Sequence, residues 1–68
     1  MKVLLNGEQR DLAERASVRD AVAAAGAPDE GRGVAVALDG EVVPRGRWDE
    51  VPLAEGQRVE VVRAVQGG

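Results

Sequence analysis

The chain has 68 residues, a net charge of −3 at pH 7 and 44% hydrophobic residues. This length allows one small domain that buries only about 60% of the surface exposed by the unfolded chain, and the leucine and valine content exceeds the roughly 20% below which disorder is favoured. A self-contained hydrolase, transferase or zinc protein is nearly excluded, because the chain has no His, Cys, Thr or Tyr and Ser17 carries its only side-chain hydroxyl.

The N-terminal segment alternates as a half-buried strand does. Val3 and Leu5 share the odd positions of residues 1–6, and a period of two places those positions toward the core. Asn6-Gly7 follows, and this dipeptide favours a two-residue type I′ hairpin because both residues tolerate positive φ. The sequence therefore predicts a second strand over about residues 8–13, with Leu12 as its main apolar residue.

The segment from Ser17 to Gly26 changes to a helical period. Its apolar residues recur at i, i+3, i+4 and i+7, which is one face of a helix. These residues are Val18, Ala21, Val22 and Ala25. Ser17 is expected to be the N-cap, and Asp20 complements the positive end of the helix. Gly26 suits the left-handed position after the helix, and Pro28 prevents the helix from continuing.

The second half of the chain returns to strand periodicity. Residues 34–38 and 41–43 alternate on either side of Asp39-Gly40, a second hairpin turn signal. Residues 44–56 have no lasting period, so we expect a long connection with one short helical turn near Trp48, which is predicted to cover an edge of the core. Residues 58–65 form a last strand with apolar residues on both faces, which indicates a central strand or an outer face that meets a partner.

This order of elements predicts an α+β fold. A mixed sheet of four to five strands with one main helix packed across it would bury the apolar faces of both layers. That is the β-grasp arrangement. We assign residues 1–65 to this domain and residues 66–68 to a flexible C-terminal tail, since chain ends without pairing partners are commonly mobile.

Composition also restricts compartment and partners. The longest apolar run has five residues, Ala21 to Ala25, against roughly 20 needed to span a bilayer, and the N-terminus begins a strand pattern instead of a signal peptide. The absence of Cys gives no sign of an oxidising compartment, so a cytoplasmic protein is expected. Net negative charge and a single aromatic residue argue against a nucleic-acid partner. We expect no membrane partner and a monomer when free.

Two groups of charged residues are interpreted as solvated surface. The acidic residues occur as pairs in two connecting segments, Asp29/Glu30 and Asp49/Glu50. Neither pair has the ligand spacing of a calcium loop, so no metal site is predicted. Three arginines, Arg32, Arg45 and Arg47, carry guanidinium groups that could bind a phosphate or an acidic partner. Exposed charges of this kind are more commonly solvated than functional.

The two terminal glycines are the remaining candidate site. Glycine lacks the side-chain bulk that would block entry into a narrow active site, so the carboxylate of Gly68 is the one group this protein could offer to another enzyme's chemistry. Adenylation by ATP would give that carboxylate a good leaving group, and sulfide or a persulfide could displace AMP to leave a thiocarboxylate. A frayed tail is the plainer interpretation of Gly67-Gly68.

The chain resembles the ubiquitin-like sulfur carriers of thiamin biosynthesis, the ThiS family, over essentially its whole length. The resemblance rests on KVLLNGE (residues 2–8), VAVALDGEVVPRGRW (34–48), LAEGQRVEVVRAV (53–65) and the final Gly67-Gly68. One departure is Gln57 after Gly56, where family members usually have Asp. We expect this change to alter a turn contact and to leave the chemistry of the tail untouched.

The resemblance implies a protein co-substrate and not an enzyme. An E1-like adenylating enzyme of the ThiF type would activate Gly68, and a cysteine desulfurase or other sulfur donor would supply the sulfur. The thiocarboxylate would then pass sulfur to a thiazole synthase of the ThiG type. The carrier itself would bind no cofactor, since ATP and the sulfur donor are used by the partner enzymes.

Three other functions stay open at this point. Carriers for molybdopterin or cysteine synthesis also end in Gly-Gly on a β-grasp domain, although they tend to be longer and the molybdopterin type often has a proline-rich approach to the tail, unlike residues 65–68. A ubiquitin-like modifier would form isopeptide bonds through Gly68; Lys2 is the only lysine of the chain. A toxin–antitoxin or regulatory binding module would make no use of the tail.

The outer face of the sheet is the expected partner surface. Its predicted residues are Leu4, Val62 and Ala64, with Arg63 nearby. They alternate with the core-facing set, so their side chains would be left exposed. The tail residues Gln66 and Gly67 are expected to become ordered only inside a partner.

Overall fold

The structure is a computed structural model that describes residues 1–27 and 32–63. Within these residues five strands form a single mixed sheet in the order β2-β1-β5-β3-β4. The strands are β1 Lys2–Leu5, β2 Glu8–Asp11, β3 Val34–Leu38, β4 Glu41–Val43 and β5 Arg58–Arg63. One α-helix, α1 Val18–Ala24, and a short 3₁₀ helix, Arg45–Arg47, complete the fold. The predicted β-grasp arrangement is confirmed, and the proposed boundary at residue 65 lies outside the described residues.

Both predicted hairpin turns are present. Asn6 and Gly7 have φ values of 52° and 83°, and Asp39 and Gly40 have 49° and 88°. These left-handed pairs define type I′ turns, which match the twist of the flanking strands. They join β1 to β2 and β3 to β4 as antiparallel pairs.

The second strand is shorter than predicted. It ends at Asp11 instead of continuing to Ala13, because its partner β1 begins at Lys2 and offers no further ladder. The Leu12 N–H still donates to the Met1 carbonyl oxygen at 2.8 Å, and the chain then turns so that the Ala16 N–H reaches the Ala13 carbonyl. Leu12 packs half-buried against the core.

The helix begins and ends where its capping residues predict. The Ser17 hydroxyl accepts a hydrogen bond from the Asp20 N–H, and the Asp20 carboxylate accepts one from the Ser17 N–H at 2.8 Å. This reciprocal capping box satisfies two donors that the first turn leaves free. Gly26 follows the C-cap with a φ of 80°, and the guanidinium of Arg10 donates to the Ala24 carbonyl at 3.0 Å.

The core is built from small aliphatic side chains around one large ring. Trp48 is 1% exposed and packs within the core, so the prediction that it covers an edge is wrong. The predicted helical turn is the 3₁₀ helix Arg45–Arg47, which directs the ring inward. Valine and alanine leave space between the helix and the sheet that one indole fills. The main aliphatic members of the same core cluster are Leu5, Val18, Ala21, Val22, Val36, Leu53, Val59 and Val61.

The last strand lies at the centre of the sheet, as predicted. β5 is parallel to β1 and antiparallel to β3. Val59 and Val61 are buried against the helix, whereas Val62 is 62% exposed on the other face. Strand alternation therefore gives this segment one core face and one outward face. No helix in the described part of the chain is long and apolar enough to cross a bilayer.

The N-terminal ammonium of Met1 lies among three acceptors. It donates to the Leu12 carbonyl oxygen at 2.7 Å and to the Asp11 and Glu14 carboxylates at 3.2 Å each. The hydrogen bond that the amine donates to the Glu14 carboxylate raises the pKa of this amine above its ordinary value of 8.0; desolvation opposes this shift and the hydrogen bond to Asp11 adds to it. The amine therefore holds its proton more tightly in the folded chain.

The free energy of unfolding is expected to fall as the pH rises above about 8. A group whose pKa is raised on folding stabilises the folded state below its unfolded pKa, and that stabilisation is lost as the pH passes through the folded pKa. Urea unfolding at neutral and alkaline pH measures the loss. The double variant Asp11→Asn/Glu14→Gln lacks both carboxylates, so it should lose less stability over the same range; an equal loss would contradict this assignment.

Candidate functional site

The sheet face turned away from α1 carries a contiguous apolar patch. The strand register places Ala35 beside Val62, and Ala37 beside both Glu60 and Val42. Val42 and Val62 are 75% and 62% exposed, and a shallow depression lies between them. We call the four residues Ala35, Ala37, Val42 and Val62 the outer patch. Glu60 forms its charged border.

The predicted surface around Leu4 and Val62 is divided by charge. Leu4 is 37% exposed on the outer face and pairs with Arg58. Glu60 then intervenes along β5 before Val62 is reached. The two residues share a face, but Arg58 and Glu60 separate them, so Leu4 does not belong to the outer patch.

The other two residues of that predicted surface lie elsewhere. Arg63 pairs with Val34 at the end of β5, and alternation after Val62 places it on the helix side of the sheet. It is exposed there. Ala64 lies outside the described residues, as do Gln66, Gly67 and Gly68.

Of the outer patch, the sequence predicted only Val62; it missed Ala35, Ala37 and the highly exposed Val42. Val42 belongs to a strand of three residues at the sheet edge, too short for alternation to assign its faces. The available signal was the two-residue Asp39-Gly40 turn, because a hairpin of that type fixes the register. Counting back from the turn pairs Ala37 with Val42.

Three of the charged residues considered above, Arg47, Asp49 and Glu50, form ion pairs at the surface. Asp49 accepts a hydrogen bond from the Arg19 guanidinium, and Arg47 lies 3.5 Å from the Glu50 carboxylate. Arg32 and Arg45 are exposed, and Asp29 and Glu30 fall outside the described residues. Within residues 1–27 and 32–63 no group of three or more acidic, His or Cys side chains could hold a metal ion.

Gln57 makes a turn contact through both ends of its side-chain amide. Its side-chain oxygen accepts from the Ala54 N–H at 2.7 Å, and its amide nitrogen donates to the Asp39 carboxylate at 3.1 Å. An Asp at position 57 could accept a hydrogen bond but could not donate one. Gln57 therefore links the last connection to the β3–β4 turn.

The chain combines a β-grasp sheet, an exposed apolar outer face and a terminal Gly-Gly. Its sequence also matches a protein-family model over nearly the full chain. The model of the ThiS family matches residues 3–68. The chain belongs to the ThiS family. The match confirms the resemblance drawn from the sequence, and it reaches the terminal glycine.

Solved structures with the same fold support the ThiS assignment. The crystal structure of the thiamine biosynthesis protein ThiS from Geobacter metallireducens is 28% identical, with a TM-score of 0.78 and full coverage of both chains. The solution structure of a thiamine biosynthesis protein from the same organism is 30% identical, with a TM-score of 0.81, and covers all of this chain and 88% of that one.

A curated relative of this ThiS-family chain is a much longer protein. A thiazole synthase from Paramagnetospirillum magneticum is 31% identical over 68 residues. The alignment covers all of this chain and 20% of the relative. The chain thus spans about a fifth of the length of that synthase.

Proposed function

We propose that the chain is the sulfur carrier for synthesis of the thiazole ring of thiamin. The observation that carries this proposal is the ThiS family match, which extends through Gly68. The Gly68 carboxylate attacks the α-phosphate of ATP, and pyrophosphate leaves. Hydrosulfide then attacks the acyl carbon and AMP leaves, which yields a thiocarboxylate. A persulfide donor would instead displace AMP to form an acyl disulfide, and a thiol would then cleave its S–S bond to give the thiocarboxylate and a disulfide of the donor with that thiol.

The proposed partners are three enzymes. A ThiF-type enzyme adenylates Gly68, and a cysteine desulfurase or other donor provides sulfur. A thiazole synthase of the ThiG type receives the sulfur, and the similarity of this whole chain to part of a thiazole synthase supports that partner. We propose that the carrier itself is a cytoplasmic monomer that binds no cofactor, because its partners use the ATP and the sulfur donor.

Intact mass spectrometry tests the proposed chemistry. The chain is incubated with the ThiF-type enzyme of its host, ATP and a sulfur source. The expected product is heavier by the difference between one sulfur and one oxygen atom, and omission of ATP should prevent its formation. No mass change with an enzyme shown to be active on another carrier would overturn the proposal, and conjugates in a cell extract would favour a protein modifier.

The outer patch is the proposed docking surface for these enzymes. Its exposed valines would become buried against a partner, and the fully buried centre of an interface is more apolar than its rim. Glu60 at its border offers a charge that selects orientation. Val62 also lies six residues before Gly68, so the patch adjoins the segment that leads to the reactive end.

Replacing Val42 or Val62 by Asp is expected to raise KM for adenylation at least about tenfold, because an unpaired charge buried in an interface costs more than about 1.4 kcal/mol. Both side chains are exposed, so the fold should persist. Gln9→Asp adds the same charge to an exposed outer-face residue outside the patch and is the matched control. Unchanged kinetics in both valine variants would contradict the proposed surface.

A further inference from the structure

β5 loses one of its two neighbours before it ends. β1 pairs with β5 at Leu4↔Arg58 and Leu5↔Val59, and the Asn6-Gly7 turn then leads the chain away. On its other side β5 stays paired with β3 as far as Arg63. From Val61 onward, one edge of β5 therefore has no partner strand among the described residues.

The side chain of Asn6 takes the place of the missing strand. Its Oδ1 accepts a hydrogen bond from the Val61 N–H at 2.8 Å, and its Nδ2 donates to the Val61 carbonyl oxygen at 3.3 Å. The main-chain N–H of Asn6 donates to the Val59 carbonyl oxygen at 2.9 Å. Val61 is thus held through both of its main-chain groups by one turn residue, and we call this contact the Asn6 clamp.

We infer that Asn6 is a positioning residue for sulfur transfer, an inference that rests on the proposed function of Gly68. Gly68 lies seven residues after Val61, and each extended residue spans at most about 3.6 Å. The Gly68 carboxylate can therefore lie at most about 25 Å from Val61, which is the point where β5 is last held on both edges. Without the clamp, residues 61–63 are supported by β3 alone, and ordering them inside a partner costs additional conformational entropy.

The second hairpin supplies a matched control at the other end of the same strand. Asp39 occupies the equivalent turn position, with a φ of 49°, and its Oδ1 accepts from the Arg58 N–H at 3.0 Å. Asn6 thus holds Val61, the last β5 residue bonded on both edges, and Asp39 holds Arg58 at the beginning of β5. Glycine tolerates positive φ, so both glycine variants keep their turns. Asn6→Gly removes two side-chain hydrogen bonds to β5, and Asp39→Gly removes one to Arg58 and one to Gln57.

The test compares these two variants in adenylation by the ThiF-type enzyme and in ¹⁵N relaxation. Asn6→Gly is expected to lower kcat/KM about tenfold, the equivalent of one or two net hydrogen bonds, and to increase the mobility of the Val62 and Arg63 amides. Asp39→Gly should stay within about twofold and leave those amides unchanged. Asn6→Asp keeps the acceptor for Val61 and tolerates the turn, so it should recover part of the rate.

Each outcome decides between positioning and simple stabilisation. Equal losses in both glycine variants would show that Asn6 acts only through stability and would overturn the inference, as would normal kinetics in Asn6→Gly. Failure of the wild-type chain to be adenylated would overturn the proposed function instead. In that case ¹⁵N relaxation alone tests the Asn6 clamp, and unchanged mobility of the Arg63 amide in Asn6→Gly would overturn the inference.

Discussion

Deletion of Gly68 is expected to abolish sulfur loading while leaving the domain folded. The new terminal carboxylate would belong to Gly67, displaced along the chain by up to about 3.6 Å. A misplacement of about 1 Å already costs on the order of 100-fold in a reaction that depends on alignment, so the loss should exceed that value. Intact mass after incubation with the activating enzyme, ATP and sulfide measures it.

Two further variants separate loss of the terminus from loss of binding. One additional alanine after Gly68 moves the carboxylate outward by the same distance and should be equally inactive. Gln66→Ala retains the terminal Gly-Gly and should load sulfur at nearly the wild-type rate. Efficient loading of the Gly68 deletion would show that the reacting group is not the Gly68 carboxylate.

Replacement of Trp48 by alanine is expected to unfold most of the protein. Trp48 is 1% exposed and packs within the core, and truncation of a buried aromatic ring costs about 3–5 kcal/mol. A single hydrophobic core in a domain of this size rarely supplies more than about 3–5 kcal/mol. Urea unfolding followed by circular dichroism measures the change and does not depend on tryptophan fluorescence.

Milder substitutions should resolve what the ring contributes. Trp48→Phe keeps most of the volume but removes the indole donor to the Val43 carbonyl oxygen, a bond of 3.0 Å, so it should cost about 1–3 kcal/mol. Arg19→Ala removes the guanidinium 5.7 Å from the ring centroid, and exposed cation–π contacts contribute only about 0.5–1 kcal/mol. A Trp48→Ala domain as stable as Arg19→Ala would contradict this ranking.

Most of the fold could be predicted because local signals agreed with the final packing. Asn6-Gly7 and Asp39-Gly40 select type I′ turns whatever surrounds them, and Ser17 caps the helix through a contact three residues away. The end of β2 could not be predicted, since it depends on where β1 begins. The position of Trp48 was missed for a similar reason: the space it fills exists only after the helix packs on the sheet.

The candidate site, too, could be predicted where the signal was local and could not be predicted where it depended on strand pairing. Val62 on the outer face follows from alternation within one strand, whereas its neighbour Val42 comes from the far hairpin and becomes adjacent only through pairing. The Asn6 clamp joins residues 55 positions apart. Such contacts are properties of the assembled sheet, and the proposed chemistry of Gly68 rests on the family match, because no side-chain motif in this sequence indicates it.

The central position of β5 also determines when this protein can fold during its synthesis. β5 is the last strand to be made, yet β1 and β3 contact each other only through it in the sheet order. Contacts between residues far apart in sequence form late, so a nascent chain that has not reached residues 58–63 holds two hairpins without a common sheet. Ribosomal products that stop short of this strand should therefore remain unfolded and open to proteolysis, and the folded pool is enriched in chains whose synthesis passed residue 63.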